Sequence, residues 1–295
     1  MRLLVTGAGG MLAGDVRRAA ERAGHEPIML DRAAVDVTDV QAVELAFSRE
    51  RPGAAINCAA WTDVDGAESH RDEAHAINAA GAGNVARTAA RAGVPLVHVS
   101  TDYVFDGDPP HDGSGSPRAY VESDPTGPRS VYGESKLAGE REVRAASARH
   151  AVVRSSWLFG VDGHNFAATM LRLADERRTS GSEPSVQVVD DQTGCPTWTG
   201  HLAPALIGLV ERHVRGLVHL AGTGHVSWNG FAREIFRQAE LDCRVEPATS
   251  AQMARPAPRP TWSALESERD DVLPLPPWQD GLAGYLAARA GMMRA

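Results

Sequence analysis

The sequence predicts an α/β fold in which a doubly wound parallel sheet is followed by a smaller mixed α/β lobe at the C-terminal end. Three observations predict it. Short apolar segments alternate with longer amphipathic segments through the first half, a glycine-rich turn follows the first apolar segment, and the alternation becomes irregular after residue 154. Strands separated by helices at this spacing form βαβ units and therefore a parallel sheet.

The first half of the chain contains the regular alternation. Strands are predicted at residues 3–5, 27–30, 54–57, 96–100 and 151–154. Amphipathic helices are predicted at residues 12–23, 40–51, 73–91 and 131–149. Asp39 is placed to cap the second helix, because its carboxylate can accept a free backbone N–H of the first turn. The glycine- and proline-rich stretch 107–117 predicts a mobile surface loop, and its acids lack the spacing of an EF-hand calcium loop.

The second half mixes helices with isolated strands. Helices are predicted at residues 166–176, 202–212, 231–240 and 281–289, and strands near 186–189 and 217–220. Ser227 is a candidate cap for the third of these helices. Residues 255–260 are proline-rich and extended. We expect residues 1–155 to form the nucleotide-binding domain, with elements around 166–215 returning to it, and residues 216–295 with 156–165 to form a substrate-binding lobe.

Composition argues against several classes of function. The net charge of −8 does not suit a surface that binds nucleic acid or an anionic membrane. The three cysteines lie far apart in no CxxC pair, so neither a disulfide framework nor a metal site is expected. The chain opens on the apolar run 3–5 without the pattern of a signal peptide, and no apolar run approaches the roughly 18 residues of a membrane span. These features predict a cytoplasmic protein.

The turn after the first strand predicts a dinucleotide site of the Rossmann type. Its spacing is Gly7-x-x-Gly10-x-x-Ala13, and it opens the first helix. Glycines permit a tight turn and let backbone amides approach a pyrophosphate, which the helix N-terminus favours electrostatically. We expect the pyrophosphate to contact residues from Gly7 to Met11 and Leu12. A tight strand-to-helix turn without a ligand is the alternative, and the position at the first βα junction favours the dinucleotide.

The end of the second strand bears on the choice of cofactor. Asp31 lies about 20 residues beyond the turn, where an acid can bind the ribose hydroxyls of NAD(H). Arg32 follows, and its guanidinium can instead pair with the 2′-phosphate of NADP(H). A solvated loop is the alternative for both residues. The pair leaves NADH and NADPH open, with NADPH slightly favoured.

A second group of residues predicts acid–base chemistry. Tyr132 and Lys136 are four residues apart, which places them on one face of a helix. A free phenol has a pKa of about 10, and a neighbouring cation lowers it toward neutrality. Thr101 ends the predicted strand 96–100, and ligands bind at the carboxyl ends of strands in such sheets. We therefore expect Thr101 and Tyr132 to meet over the nicotinamide.

These features resemble the extended short-chain dehydrogenase/reductase family, and more narrowly its deoxysugar 4-ketoreductases. The resemblance covers most of the chain and is carried by the following segments: Gly7-x-x-Gly10-x-x-Ala13, Asn57-Cys58-Ala59-Ala60, Ser100-Thr101-Asp102-Tyr103-Val104-Phe105-Asp106-Gly107, Tyr132-Gly133-x-Ser135-Lys136-Leu137-x-Gly139-Glu140, Val153-Arg154-Ser155-Ser156-Trp157-Leu158-Phe159-Gly160, Asn165-Phe166 and Asp190-Asp191-Gln192-x-Gly194-x-Pro196-Thr197.

The resemblance implies a reaction and a set of roles. The reaction is reduction by NAD(P)H of the 4-keto group of a nucleotide-linked 4-keto-6-deoxysugar such as dTDP-4-dehydro-L-rhamnose, with Tyr132 as general acid. Thr101, Tyr132 and Lys136 become the catalytic residues, and a homodimer is implied. The cofactor would also contact Ala59, Ala60, Thr62 and, on a helix beside it, Asn78. The sugar would face Val64, Asp65, Asp102, Tyr103, Trp157 and Gln192, with Arg154 at the floor of the site.

Two departures from the family pattern lie where selectivity for the sugar would be set. The family has Arg-Pro-x-x-Ser followed by an apolar residue, whereas Arg255-Pro256 here leads into Arg259-Pro260, and the loop after Gly107 is longer. Three alternatives remain. A nucleotide-sugar epimerase shares the fold, a dehydratase would need an acidic pair that Thr101-Asp102-Tyr103 lacks, and the regulatory subunit of methionine adenosyltransferase resembles the same reductases.

Overall fold

The computed structural model describes residues 1–179 and 184–292. Its strands, in chain order, are β1 (Arg2–Thr6), β2 (Glu26–Leu30), β3 (Ala54–Asn57), β4 (Leu96–Thr101), β5 (Ala151–Ser155), β6 (Leu158–Phe159), β7 (Ser185–Val189), β8 (Thr193–Gly194), β9 (Thr197–Trp198), β10 (Gly216–His219), β11 (Val226–Ser227) and β12 (Arg244–Ala248). Its α-helices are α1 (Met11–Arg22), α2 (Val40–Glu50), α3 (Val64–Ser69), α4 (Arg71–His75), α5 (Ala82–Arg91), α6 (Val131–Ala146), α7 (Phe166–Thr179), α8 (Thr199–Glu211), α9 (Trp228–Gln238), α10 (Ser250–Met253) and α11 (Trp278–Met292).

The centre of the molecule is a six-stranded parallel sheet in the order β10-β5-β4-β3-β1-β2. The strand order reverses direction at β1, so the crevice at the carboxyl ends of β1, β3, β4 and β5 is where a doubly wound sheet binds its ligand. In the pairing of β4 with β5, Thr101 lies opposite Ser155. The predicted α/β fold with a parallel sheet is confirmed.

Alternating strand residues divide the core between the two faces of the sheet. Leu3 and Val5 pack with helices α1 and α8 on one face, whereas Leu4 packs with α2, α5 and α6 on the other. This division follows from the two-residue period of a strand, which turns successive side chains to opposite faces. Both faces are covered, which explains why the strands read as nearly continuous apolar runs.

A second core lies beyond the sheet. Helices α7, α9 and α11 pack with β7 and β12, a parallel pair, around buried aromatic side chains that include Phe231 and Tyr285. Two short ladders, β6 with β9 and β8 with β11, connect this lobe to the carboxyl edge of the central sheet. No described helix has the length and apolarity that a membrane crossing requires.

Two segments belong to a different part of the molecule from the one that the sequence analysis expected. Residues 216–219 form β10 at the edge of the central sheet, because the buried Val218 packs in the same core as α1 and α8. Helix α7, expected to return to the nucleotide-binding domain, packs on α9 and β7 in the lobe. The remaining division, with residues 1–155 forming most of the nucleotide-binding part, stays a prediction.

The two predicted helix caps are present, and the helix predicted over 73–91 is interrupted. Asp39 accepts hydrogen bonds from the backbone of Gln41 (2.9 Å) and Ala42 (3.2 Å), and Ser227 accepts one from Gly230 (3.0 Å), so both caps are confirmed. The predicted helix 73–91 is present but contains a π-helical segment, Ala76–Gly81, between α4 and α5. Such segments insert one extra residue into the turn and are frequent at functional sites.

Candidate active site

The turn between β1 and α1 fits a bound pyrophosphate. Gly7 has a φ of +73°, and a Cβ on it would lie 2.6 Å from the backbone nitrogen of Ala59, so only glycine fits. Gly10 donates its backbone N–H to the Gly7 carbonyl (2.9 Å) and precedes α1 without a side-chain cap. The first amides of α1 are therefore free for an anion. Leu12 is buried in the core, while the Met11 sulfur contacts Asn165 (3.7 Å).

A cavity of about 410 Å³ opens beside this turn. It is lined by Gly7 together with Arg32, Val35, Asp36, Val37, Ala59, Ala60, Trp61, Thr62, Asp63 and Ile77. Arg32 is exposed, and its ion pair with Asp36 is long (3.6 Å). Asp31 accepts a hydrogen bond from the backbone of Ala34 (2.8 Å) and is not among the lining residues of this cavity. The cavity can hold the adenosine end of a dinucleotide, with Arg32 rather than Asp31 facing it.

The three predicted catalytic residues converge at the end of β4. Thr101 ends the strand, and its hydroxyl is hydrogen-bonded to the phenol of Tyr132 on the first turn of α6. Lys136, one turn further along α6, is buried and donates to the Val99 carbonyl (2.7 Å). Ser130 caps α6 by accepting from Gly133 (3.2 Å), which fixes where the helix begins.

The electrostatics of Tyr132 differ from the sequence-based expectation. Burial raises the pKa of the phenol to about 12, and only the hydrogen bond to Thr101 opposes the rise. The Lys136 ammonium donates to the Val99 carbonyl at 2.7 Å. A phenol with a high pKa stays protonated at neutral pH, and a general acid for the reduction of a ketone must begin protonated.

The buried ion pair of Glu140 with Arg154 lies one helical turn from Lys136. Burial lowers the pKa of Lys136 to about 8, while the charge of Glu140, one helical turn away, opposes that fall. Glu140 is itself paired with Arg154 of β5 through two contacts of 2.9 and 2.7 Å and accepts from Ser100 at 2.6 Å. Glu140 and Arg154 are each at most 2% exposed. Arg154 therefore lies in the floor of the site, where the resemblance places it.

Asn78 ties two parts of the site together. It lies on the π-helical segment and is fully buried. Its side chain accepts from the backbone nitrogen of Trp61 (2.8 Å) and donates to the Trp61 carbonyl (3.1 Å) and the Ser135 hydroxyl (2.9 Å). The loop after β3, which lines the cofactor cavity, is thereby held to the helix that carries Tyr132.

Asp102 is a buried carboxyl next to the catalytic threonine. Thr101 donates to its Oδ1 at 3.0 Å, and the carboxyl is 2% exposed. Burial raises the pKa of Asp102 to about 6.

A second cavity, of about 570 Å³, lies between the lobe and the carboxyl edge of the sheet. Tyr103 lines it and packs edge-on against Tyr132, with ring centroids 5.6 Å apart. Gln192 lines it too and donates to the Ser250 hydroxyl (2.8 Å). Trp228, Arg255 and Arg259 also line this cavity. The cavity is large enough for a nucleotide sugar, and Tyr103 connects it to the catalytic phenol.

Asp65 faces the lobe rather than an open cavity. Both of its oxygens pair with Arg259 (2.9 Å each), and it also accepts from Arg255 (3.3 Å) and the Ala257 backbone (3.1 Å). The Arg259 guanidinium lowers the pKa of Asp65 to about 2. Val64 begins α3 and is not among the lining residues of either cavity.

Trp157 is not among the lining residues of the larger cavity. Its indole is stacked on Trp228 with ring centroids 3.5 Å apart, and of the two described residues only Trp228 lines the cavity. All of residues 107–117 are described, and none lines either cavity. The expectation that this loop contacts the sugar therefore gains no support from its position.

Sequence reasoning missed Trp228 and the role of Arg259. The family pattern Arg-Pro-x-x-Ser followed by an apolar residue is present four residues later than the comparison made from Arg255, as Arg259-Pro260-Thr261-Trp262-Ser263-Ala264. Ser263 is buried and contacts Asp102. The repeated Arg-Pro pair was the available signal, and the expected departure at this segment is corrected accordingly. Trp228 had no signal beyond its position after the capping Ser227.

Comparison with known proteins agrees with this geometry. The model of a family described as "RmlD substrate binding domain" matches residues 1–290. The chain belongs to the RmlD substrate-binding family. The RmlD assignment confirms the resemblance to the extended short-chain dehydrogenase/reductases, because its structural relatives share the parallel-sheet fold found here.

Several relatives of this RmlD chain are reductases by name. The dTDP-4-dehydrorhamnose reductase of Mycobacterium tuberculosis is 46% identical over 98% of this chain and 93% of its own. A probable dTDP-4,6-dihydroxy-2-methyloxan-3-one 4-ketoreductase of Streptomyces antibioticus is 41% identical over 96% of this chain and 93% of its own. The structure of dTDP-4-dehydrorhamnose reductase from Bacillus anthracis in complex with NADP superimposes with a TM-score of 0.90 at 35% identity, covering 97% of this chain and 99% of that chain.

Proposed function

We propose that the chain reduces the 4-keto group of dTDP-4-dehydro-L-rhamnose, or of a closely related nucleotide-linked 4-keto-6-deoxysugar, with NADPH or NADH as the hydride donor. The observation that carries the proposal is the convergence of Thr101, Tyr132 and Lys136 at the end of β4, with Tyr103 connecting them to a cavity that fits a nucleotide sugar. The names of the relatives support the same substrate class and do not favour the epimerase or regulatory-subunit alternatives.

The residues present fit the cofactor. Only glycine is accommodated at position 7, the first amides of α1 are uncapped, and Arg32 lines the adjoining cavity. Arg32 supports NADPH, and Lys136 is placed to hold the ribose beside the nicotinamide. When bound, the nicotinamide supplies the hydride for the keto carbon.

The chain's own residues handle the proton. Tyr132, protonated because its pKa is raised, donates its phenolic hydrogen to the keto oxygen as that oxygen gains charge. Thr101 contacts the phenol, and its hydroxyl donates to the Asp102 carboxyl at 3.0 Å. Lys136 supplies a positive charge to the same region. Tyr103 and Gln192 border the sugar, and Arg255 with Arg259 carry one more positive charge than Asp65 neutralises, which suits a diphosphate.

The test is oxidation of NADPH and of NADH by the purified protein with dTDP-4-dehydro-L-rhamnose made in situ. We expect turnover by the wild type, and a loss of about 10²–10⁴-fold in Tyr132→Phe with cofactor binding retained. Tyr285→Phe is the matched control, because it removes a phenol that is buried in the lobe against Phe159. Normal cofactor binding without turnover by the wild type would contradict the proposed substrate, and unchanged turnover in Tyr132→Phe would contradict the mechanism.

We also propose that the protein is a homodimer of the cytoplasm. Both statements rest on the resemblance to the reductases, and the three cysteines, which are free thiols, fit a reducing compartment. Light scattering of the purified protein tests the dimer, for which a mass equal to one chain of 31.4 kDa would be the contrary result. Fractionation of cells that express the protein tests its location.

A further inference from the structure

The Asp65 carboxylate joins the nucleotide-binding part of the molecule to the wall of the larger cavity. Asp65 lies in the first turn of α3, and its partners lie 190 or more residues later, in the segment 255–260. Arg259 binds it through both Nη atoms at 2.9 Å, and the Ala257 backbone N–H (3.1 Å) and Arg255 (3.3 Å) also donate to it. Two parallel N–H···O contacts of this kind fix the orientation of a guanidinium as well as its distance.

The helix that carries Asp65 is held against the catalytic helix α6. Glu68, one turn further along α3, accepts the backbone N–H of Val131 at 2.9 Å. Val131 is the first residue of α6 and precedes Tyr132, so this hydrogen bond holds α3 at the end of α6 where the phenol lies. Asp65 therefore has a defined position relative to the catalytic phenol, and the ion pair fixes Arg259 relative to the same group.

Arg259 lines the larger cavity, whereas Asp65 is not among its lining residues. The side chain of Arg259 is 19% exposed, so part of its charge is open to a ligand. Its Nη1 also donates to the Ala257 carbonyl (3.0 Å), and its guanidinium is hydrogen-bonded to Tyr103, another lining residue. Arg259 is therefore the residue that a ligand contacts, and Asp65 is the residue that orients it.

The carboxylate of Asp65 has two opposite effects on an anion in this cavity. Binding that immobilises a long, flexible side chain loses affinity to the rotamer entropy of that side chain. Because Asp65 already restricts Arg259 in the free protein, a diphosphate binds a guanidinium that is ordered beforehand. Coulomb repulsion acts in the other direction, since a negative carboxylate near the cavity weakens the binding of any anion. Removal of the charge therefore changes the affinity in opposite directions according to which effect is larger.

We propose that Asp65 is a positioning residue, which orients Arg259 in the cavity wall for the diphosphate of the nucleotide sugar. The proposal rests on the proposed function in that it assumes a nucleotide sugar in this cavity. It differs from the role implied by the resemblance, in which Asp65 faces the sugar itself. Loss of the carboxylate weakens binding of the diphosphate and leaves binding of the cofactor unchanged, because neither Asp65 nor Arg259 lines the cofactor cavity.

The test measures two affinities by calorimetry, the Kd of dTDP and the Kd of NADPH. We expect Asp65→Asn to raise the Kd of dTDP about three- to tenfold and to leave the Kd of NADPH within about twofold. In turnover, the KM for the keto sugar should rise by a similar factor while kcat stays within about twofold, because Asp65 touches none of the reacting atoms.

Asp124→Asn is the matched control for the loss of an ion pair. Asp124 is bound by both Nη atoms of Arg118 (2.7 Å each) and accepts the Val121 backbone N–H (2.8 Å), as Asp65 is bound by Arg259 and by a backbone N–H. Neither Asp124 nor Arg118 lines the cofactor cavity or the larger cavity. Asp124→Asn should therefore lose stability and still bind dTDP with the Kd of the wild type.

A double variant tests whether Asp65 acts through Arg259. In the Arg259→Met protein, Asp65→Asn should raise the Kd of dTDP by less than about twofold further, because the side chain that Asp65 orients is gone. An equal increase with and without Arg259 overturns the positioning role, as does an unchanged Kd of dTDP in Asp65→Asn. A Kd of dTDP that falls in Asp65→Asn shows that the carboxylate repels the diphosphate more than it orders Arg259, and overturns it as well.

The outcomes separate this proposal from the proposed function. Wild-type protein that binds dTDP but does not reduce the keto sugar contradicts only the proposed function. Wild-type protein that reduces the keto sugar, together with an Asp65→Asn variant that binds dTDP normally, contradicts only the positioning role. Wild-type protein that neither binds dTDP nor reduces the keto sugar overturns both.

Discussion

The buried pair of Glu140 and Arg154 allows the sharpest prediction about stability. Each residue is at most 2% exposed, and the pair is joined by two charge-assisted contacts of 2.9 and 2.7 Å. Removing one partner of a buried pair leaves an uncompensated charge and costs about 3–5 kcal/mol, whereas replacing both by apolar residues is often neutral. We therefore expect Glu140→Leu and Arg154→Met to be strongly destabilising alone and much less so together.

The surroundings predict which single change is worse. In Arg154→Met, Glu140 keeps the Ser100 hydroxyl at 2.6 Å and the charge of Lys136 one helical turn away. In Glu140→Leu, the Arg154 guanidinium keeps two weaker contacts. Its Cζ lies 5.0 Å from the centroid of the Phe105 ring, and its Nη1 lies 3.4 Å from Nε2 of His219. Glu140→Leu should therefore be the less stable single variant, toward the upper end of about 3–5 kcal/mol.

Urea unfolding at neutral pH measures the effect. The midpoint and slope of each transition give the free energy of unfolding for the wild type, both single variants and the double variant. The difference between the double variant and the sum of the single variants gives the coupling between the partners. A double variant as unstable as the sum, or single variants that each lose less than about 1 kcal/mol, would refute the reasoning.

Three further predictions follow from the site. Burial lowers the pKa of Lys136 to about 8, so its ammonium is lost as pH rises through that value, and kcat/KM should fall over the same interval; a profile flat through pH 8 would contradict this. Gly7→Ala should weaken cofactor binding at least about tenfold in a fluorescence titration, because its Cβ would lie 2.6 Å from the backbone of the loop after β3; Gly93→Ala, with a similar φ of +70° and no atom within 4 Å, is the control and should bind normally. The pKa of Asp65 is lowered from 3.8 to about 2, chiefly by Arg259, with the Ala257 backbone and Arg255 adding to it, so these contacts together contribute about 2 kcal/mol above pH 3.8 that is lost as pH falls through 2. Arg259→Met should show the larger part of that deficit in the free energy of unfolding at neutral pH and converge with the wild type in acid, and an equal deficit at both pH values would exclude the ionic explanation.

The regular half of the fold could be predicted because its signals are local. The strands of the central sheet are buried on both faces and the helices between them are amphipathic. Hydrophobic periodicity was therefore enough to predict where these strands and helices lie along the chain. The placement of β10 and α7 could not be predicted in this way. Their positions depend on contacts with segments distant in the chain, and short strands such as β8 and β11 carry two residues each, too few for a period to show.

The candidate site, too, could be predicted from the sequence only in part. Spacing was sufficient to bring Thr101, Tyr132 and Lys136 to one place, since one strand end and one helix face carry them. It could not give the raised pKa of Tyr132, which comes from burial by the assembled fold. It also could not show that Trp228 lines the larger cavity, because Trp228 reaches that position through the pairing of β8 with β11.

The late arrival of β10 has a consequence for how the protein is made. The first five strands of the central sheet are complete by residue 155, but β10, which covers the open edge of β5, is not synthesised until residues 216–219. An uncovered edge on a strand that is fully buried in the finished fold invites pairing with another chain. The emerging polypeptide therefore exposes an unpaired strand edge while the ribosome adds some 60 residues. At ordinary elongation rates this takes about 3–12 seconds. A chain released at residue 155 should precipitate, whereas release after β10 and α8 should yield a particle that stays dispersed.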